Sequence, residues 1–148
     1  MQKCTLALGC FWKPEENFKN KPGILETEVG YAGGNSSETT YEEVCSGITG
    51  HAEVVKLTFD ESKISFKKIL NLFFKMHDPT QKDMQYPDVG TQYRSEIFYE
   101  TKKQKQEASE VLNEFNKKLG GKIQTNISPI KNYCKAEEYH QKYIEKNR

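Results

Sequence analysis

The sequence predicts an α+β fold, a two-layer sandwich of one sheet and its helices. Three observations carry that prediction. Segments of strand period and helix period alternate along the 148 residues. The connections between them mix hairpin-length and crossover-length links. No composition shift or linker divides the chain, so 1–148 is expected to be one domain, long enough for a real core.

Cys4 to Leu8 reads as a short apolar strand. Gly9 allows a sharp turn, and Pro14-Glu15-Glu16 opens an amphipathic run with Phe18 as its next buried residue. Cys10 therefore falls at a strand-to-helix turn, where unpaired backbone N–H groups and the helix dipole favour a thiolate over a thiol. Phe11 and Trp12 follow it directly, a pair able to wall an apolar pocket.

After a turn at Lys21-Pro22-Gly23, Ile24 to Tyr31 alternates, with Leu25, Thr27, Val29 and Tyr31 on one face. A turn-rich loop over 32–40 leads to a short helix, Tyr41 to Cys45. His51 to Phe59 is the most informative strand. Its alternation puts Glu53 on the face of Val55, Leu57 and Phe59: a carboxyl pointing coreward there should have a raised pKa and a proton to donate, whereas one curling to solvent at the strand end would stay an ordinary carboxylate. Ser65 caps a helix running to Met76 with Phe66, Ile69, Leu70, Phe73 and Phe74 inward. Residues 77–92 form a long polar loop of the kind that is either functional or mobile. Tyr93-Arg94-Ser95 enters a strand to Tyr99, and Thr101 to Leu119 repeats at helical spacing until Gly120-Gly121 ends it. A strand near Ile123 to Ile130 and a polar helix from Ala136 to Lys146 close the chain. The expected topology is a ferredoxin-like split βαβ core with extra loops and helices.

The formal net charge is +1, with Lys and Arg scattered rather than striped, which argues against a nucleic-acid partner. The apolar run from Thr5 to Trp12 lacks a cleavage pattern, and no stretch reaches membrane-spanning length; the expected location is the cytoplasm. The four cysteines, Cys4, Cys10, Cys45 and Cys134, are expected as reduced thiols. Neither Cys45 with His51 nor Cys134 with His140 has the paired ligands of a zinc site, so no metal is expected, and no cofactor is implied.

Gly9-Cys10-Phe11-Trp12, Gly30-Tyr31-Ala32-Gly33-Gly34, Tyr41-Glu42-Glu43-Val44-Cys45-Ser46-Gly47, Gly50-His51-Ala52-Glu53, His77-Asp78-Pro79-Thr80, Gly90-Thr91-Gln92-Tyr93-Arg94-Ser95 and Ala136-Glu137-Glu138-Tyr139-His140-Gln141 occur in that order. On these motifs the chain resembles peptide methionine sulfoxide reductase of the A type, from about Thr5 to Tyr143. The resemblance implies reduction of the S epimer of methionine sulfoxide, free or in proteins. It makes Cys10 the nucleophile and Glu53 the acid. Phe11 and Trp12 would hold the substrate methyl, Tyr41 and Tyr93 would hydrogen-bond the sulfoxide oxygen, and Asp88 would line the site. Cys10 would pass through a sulfenic acid.

Many family members carry a glycine-rich tail with resolving cysteines, whereas this sequence ends at Lys146-Asn147-Arg148. Lys13 and Val89 also depart from residues common in the family. The expectation is a one-cysteine cycle served by thioredoxin or by glutaredoxin with glutathione. Cys4 and Cys10 flank a strand and lie about 16 to 20 Å apart, beyond the ~7 Å that a disulfide spans. Cys45 is taken as structural, and Cys134 remains the candidate resolving residue. Two rivals differ in what they require. A peroxide-reducing thiol enzyme would need neither the aromatic pair nor a buried carboxylic acid, and an aromatic cage for methionine or a methylated side chain would not need Cys10.

Overall fold

The computed structural model describes residues 1–148. The elements are β1 (Gln2–Leu8), α1 (Trp12–Phe18), β2 (Ile24–Ala32), α2 (Tyr41–Cys45), β3 (Ala52–Phe59), α3 (Phe66–Met76), β4 (Met84–Gln85), β5 (Asp88–Val89), β6 (Ser95–Tyr99), α4 (Lys102–Lys118), β7 (Asn126–Pro129), β8 (Cys134–Lys135) and α5 (Tyr143–Lys146), with single 3-10 turns at Thr91–Tyr93 and Glu138–His140.

The main sheet has the order β7-β6-β1-β3-β2-β8. Its central four strands, β6-β1-β3-β2, are antiparallel throughout. β3 separates β1 from β2, which α1 joins, and α3 leads from β3 towards β6. That is the split βαβ, ferredoxin-like core expected, in an α+β two-layer sandwich. β7 adds in parallel to β6 and β8 antiparallel to β2, extending the sheet at both edges.

One face of the sheet buries Cys4, Leu6 and Leu8 of β1, Val29 and Tyr31 of β2 and Val55, Leu57 and Phe59 of β3 against Phe18, Ile69, Leu70, Phe73, Ala108, Val111 and Phe115 of the helices. This is the period-2 pattern of the strands meeting the period-3.6 pattern of the helices. The opposite face buries Ala7, Ala32, Ala52, Val54 and Phe98, covered by Ile130 and Tyr133 from the return of the chain. The side-chain hydroxyls of Thr40, Ser65 and Thr101 cap α2, α3 and α4 by accepting the N–H three residues on.

Four local expectations need correction. The register slips between Ile24 and Glu26, and this bulge turns Leu25 to solvent, 47% exposed, while Thr27, Val29 and Tyr31 keep the inward face. The 77–92 loop contains a small hairpin, Met84 with Val89 and Gln85 with Asp88. The penultimate strand is confined to Asn126–Pro129. The closing segment is not one helix: β8, a 3-10 turn and a four-residue helix replace it, with Lys142 in the left-handed region (φ 52°) between the last two. Glu15, buried in α1, accepts the Lys142 backbone N–H at 2.6 Å, so tertiary bonding sets that break rather than local propensity.

Candidate active site

β1 delivers Cys10 past its C-terminal end, and Gly9 makes the turn with φ 93°, where an added Cβ would also meet Gln85 at 2.9 Å. Phe11 occupies the N-cap of α1. Its backbone N–H donates to Glu53 Oε1 at 3.3 Å, tying the Cys10 turn to β3. Glu53 is 1% exposed and its Oε2 has no protein partner. Burial drives its pKa up to about 8, with the Phe11 N–H opposing and the Asp88 charge adding to the rise. The carboxyl is therefore a neutral acid at pH 7.

Cys10 is half-buried, and here the expectation of a thiolate is overturned. Burial pushes the thiol up to about 12. The Trp12 N–H at the helix start favours the thiolate, but desolvation outweighs it, and the nearby Glu53, Asp88 and Cys45 push further upward. A seven-residue helix supplies too little field to offset removal of the thiol from water.

Tyr41, opening α2, and Tyr93, ending the 3-10 turn before β6, both face this carboxyl, and their phenols are held protonated. Burial raises Tyr41, followed by its hydrogen bond to the Cys45 thiol and the charges of Cys45, Glu53 and Tyr93. Burial also raises Tyr93, followed by Glu53, Cys45, Asp88 and Cys10. Asp88 reaches the same cluster from the β4–β5 hairpin. Cys45 is exposed at the end of α2 rather than packed as a structural thiol. Seven sequence candidates, Cys10, Phe11, Trp12, Tyr41, Glu53, Asp88 and Tyr93, thus converge.

Cys134 does not. Continuing the β1–β3 register by two residues sets Leu8 opposite Glu53, and Glu53 pairs with Tyr31, which pairs with Cys134. Three strand spacings of about 4.8 Å place Cys134 about 14 Å from the end of β1. Its thiol points to the Thr39 carbonyl at 3.7 Å.

Sequence reasoning missed three residues around the aromatic pair. The Phe11 ring packs on Tyr31 at 5.7 Å and on His140 at 5.1 Å. Glu137 accepts the Tyr31 hydroxyl at 2.7 Å and the Tyr41 backbone N–H at 2.9 Å. Burial raises the Glu137 carboxyl, but these donors outweigh it and hold it below its ordinary value. His140 sits among Phe11, Trp12, Tyr41 and Tyr139, and burial against the opposing Glu137 charge lowers its pKa, so the ring is neutral at pH 7. The closing motif Ala136 to Gln141 marked the segment, but nothing in its spacing assigned partners some hundred residues away.

No group of His, Cys, Asp and Glu side chains is arranged to hold a metal ion. No helix is long and apolar enough to cross a membrane.

An open α+β sheet with a cysteine turn, a protonated buried carboxyl and two phenols at one end defines a thiol-bearing oxidoreductase site. The model of the family peptide methionine sulfoxide reductase matches residues 2–148. A Pelagibacter ubique peptide methionine sulfoxide reductase MsrA is 56% identical over 146 residues, covering 99% of each chain. The Saccharolobus solfataricus protein of the same description is 44% identical over 148 residues, all of this chain and 84% of that protein. Methionine sulfoxide reductase A of Corynebacterium diphtheriae superposes with TM-score 0.95 at 36% identity, over 99% of this chain and 74% of that one. Reduced Mxr1 from Saccharomyces cerevisiae superposes with TM-score 0.92 at 38% identity, over 99% and 85%. Mxr1 has also been solved in complex with Trx2, TM-score 0.66 at 27% identity, over 96% and 84%. The chain belongs to the peptide methionine sulfoxide reductase family and is an oxidoreductase of its A type.

Proposed function

We propose that this protein reduces the S epimer of methionine sulfoxide, free or peptide-bound, with Cys10 as nucleophile and Glu53 as acid, and that residues 1–148 act as one catalytic unit. The observation that carries this reading is the Glu53 carboxyl, buried, neutral and with one oxygen lacking a protein partner, beside the Cys10 turn.

A sulfoxide oxygen leaves poorly until protonated. Glu53 donates its proton to that oxygen, and Tyr41 and Tyr93 add hydrogen bonds where charge develops. Protonation makes the sulfur cationic, and this charge is what a raised Cys10 thiol needs in order to ionise and attack. The resting thiol is therefore activated by substrate, not beforehand. Attack joins the Cys10 sulfur to the substrate sulfur, and the thiol proton returns to Glu53; the hydroxyl then passes to the Cys10 sulfur as the substrate's sulfur–oxygen bond and the new sulfur–sulfur bond break, so methionine leaves and Cys10 becomes a sulfenic acid. Phe11 and Trp12 hold the methyl on one side and the donors hold the oxygen on the other, so one hand of the chiral sulfur faces Cys10.

Regeneration is assigned to an outside thiol, thioredoxin or glutaredoxin with glutathione: Cys134 lies three strands away and Cys4 is fully buried, while Cys45, exposed and close enough to raise the Cys10 thiol, is the one other thiol of these residues beside the site. The Mxr1–Trx2 complex supports the thioredoxin route. Four free cysteines suit the cytoplasm, where thiols are kept reduced.

A single turnover tests the reading. Protein is mixed with each epimer of a blocked methionine sulfoxide without reductant, and methionine and thiols are counted. Methionine from the S epimer alone, one thiol lost and a sulfenic acid trapped on Cys10 are expected. No methionine from either epimer refutes the activity. Two thiols lost refutes the one-cysteine cycle, and Cys45→Ser and Cys134→Ser then identify the second thiol.

A further inference from the structure

We infer that His140 is a positioning residue, and that its Nδ1 lone pair sets the orientation of the Trp12 indole in the substrate wall. The inference rests on the reading above, in which Trp12 walls the substrate methyl. Trp12 Nε1–H donates to His140 Nδ1 at 2.9 Å across 128 residues of sequence. An indole nitrogen only donates, so Nδ1 must be the bare nitrogen and the ring proton sits on Nε2. The indole face stacks on Tyr143, centroids 3.8 Å apart and 8° from parallel. Trp12 is thereby held at two points, one directional and one planar.

The anchor itself is fixed. His140 is fully buried, with ring centroids of Tyr139, Tyr41 and Phe11 at 4.1, 4.4 and 5.1 Å. Glu137 ties its turn to Tyr31 and to the start of α2. Gln141 ties it to β2 by accepting the Val29 N–H and donating to the Val29 carbonyl, both at 2.9 Å. The Nε2 of His140 finds no partner. A cage of aromatic rings would take a phenyl group without that orphaned donor. What the imidazole contributes in exchange is the acceptor for Trp12.

Trp12 is the sole tryptophan in the chain, so indole signals report on it alone. His140→Phe keeps a ring in the cage and removes the acceptor, whereas His140→Asn restores an acceptor oxygen near the Nδ1 position. His140→Phe should shift the indole N–H resonance and emission of Trp12. It should raise KM for the S epimer about tenfold with a smaller change in kcat, because the wall acts on bound substrate. His140→Asn should recover most of both effects, and in a Trp12→Phe background His140→Phe should add nothing. An unchanged indole N–H signal and unchanged KM in His140→Phe overturn the inference, as does an Asn variant no better than Phe. Should His140→Phe not fold, indole N–H exchange in the wild type decides: protection supports the bond, and exchange at the rate of an exposed tryptophan refutes it. A wild-type protein that reduces no sulfoxide sinks the functional reading but leaves the indole measurements intact.

Discussion

Replacing Glu53 by Gln separates the chemistry of the acid from its cost to the fold. The carboxyl goes from an ordinary 4.5 to about 8 on burial. A displacement of that size, at 1.36 kcal/mol per pH unit, corresponds to ~5 kcal/mol. The sign follows from proton binding. Below about pH 4.5 both folded and unfolded states hold the proton, and no penalty exists. Between 4.5 and 8 the unfolded chain releases it while the folded protein keeps it, so stability falls steadily with rising pH. Above 8 the full penalty is present. At pH 7 the wild type carries roughly 3 kcal/mol of it. Gln keeps the shape and the acceptor for the Phe11 N–H but cannot titrate. Urea unfolding at half-unit steps from pH 5 to 9 should therefore show a wild-type curve descending relative to Glu53→Gln, with the variant the more stable by several kcal/mol at pH 9. Single-turnover rates should move the other way: the variant slower by about 10² to 10⁴ at pH 6, the usual worth of a positioned acid. Its rate should also lack the fall above pH 8 expected of the wild type as Glu53 ionises. Parallel stability curves for the two proteins would refute a raised Glu53 pKa, and with it the neutral acid on which the proposed mechanism depends.

Gly34→Ala would drive a Cβ into His51 Nδ1, in a buried ring whose Nε2 is held by the Ser36 carbonyl at 2.8 Å; a loss of about 3 kcal/mol is expected by denaturant titration. His77 is neutral between the Phe73 carbonyl and the Ser95 hydroxyl, with burial lowering its pKa to about 4. A depressed histidine stabilises above its unfolded value of 6.5 and loses that contribution as pH falls to 4, so the wild type should shed up to about 3 kcal/mol across that window, and His77→Gln should not. Cys134→Ser should leave multiple-turnover rates with thioredoxin within twofold of the wild type; abolished turnover with an intact first round would make Cys134 the resolving residue.

Much of the architecture was written in local pattern. Alternation over β3 put Glu53 inward beside Val55 and Leu57 because successive strand residues point to opposite faces, and burial then dictates a raised carboxyl whatever the fold. The same rule failed at Leu25, because a bulge is an extra residue whose position depends on the partner strand. The last helix was misjudged for a related reason: Glu15, buried in α1, bonds the Lys142 N–H, and no local signal announces a partner so distant in sequence.

At the site, a turn glycine, a helix start and a period of two are local properties that single out Cys10, its aromatic neighbours and Glu53 as candidates, while the roles expected of them, and of Tyr41, Tyr93 and Asp88, come from the resemblance of the ordered motifs. Whether Cys10 rests as thiolate or thiol was decided by tertiary burial, because desolvation depends on every group packed around the sulfur while the helix field comes only from its own turn. The distance from the Cys10 strand to Cys134, the bond from Trp12 to His140 and that from Tyr41 to Glu137 likewise come from strand order and chain return, which bring residues about a hundred positions apart into contact.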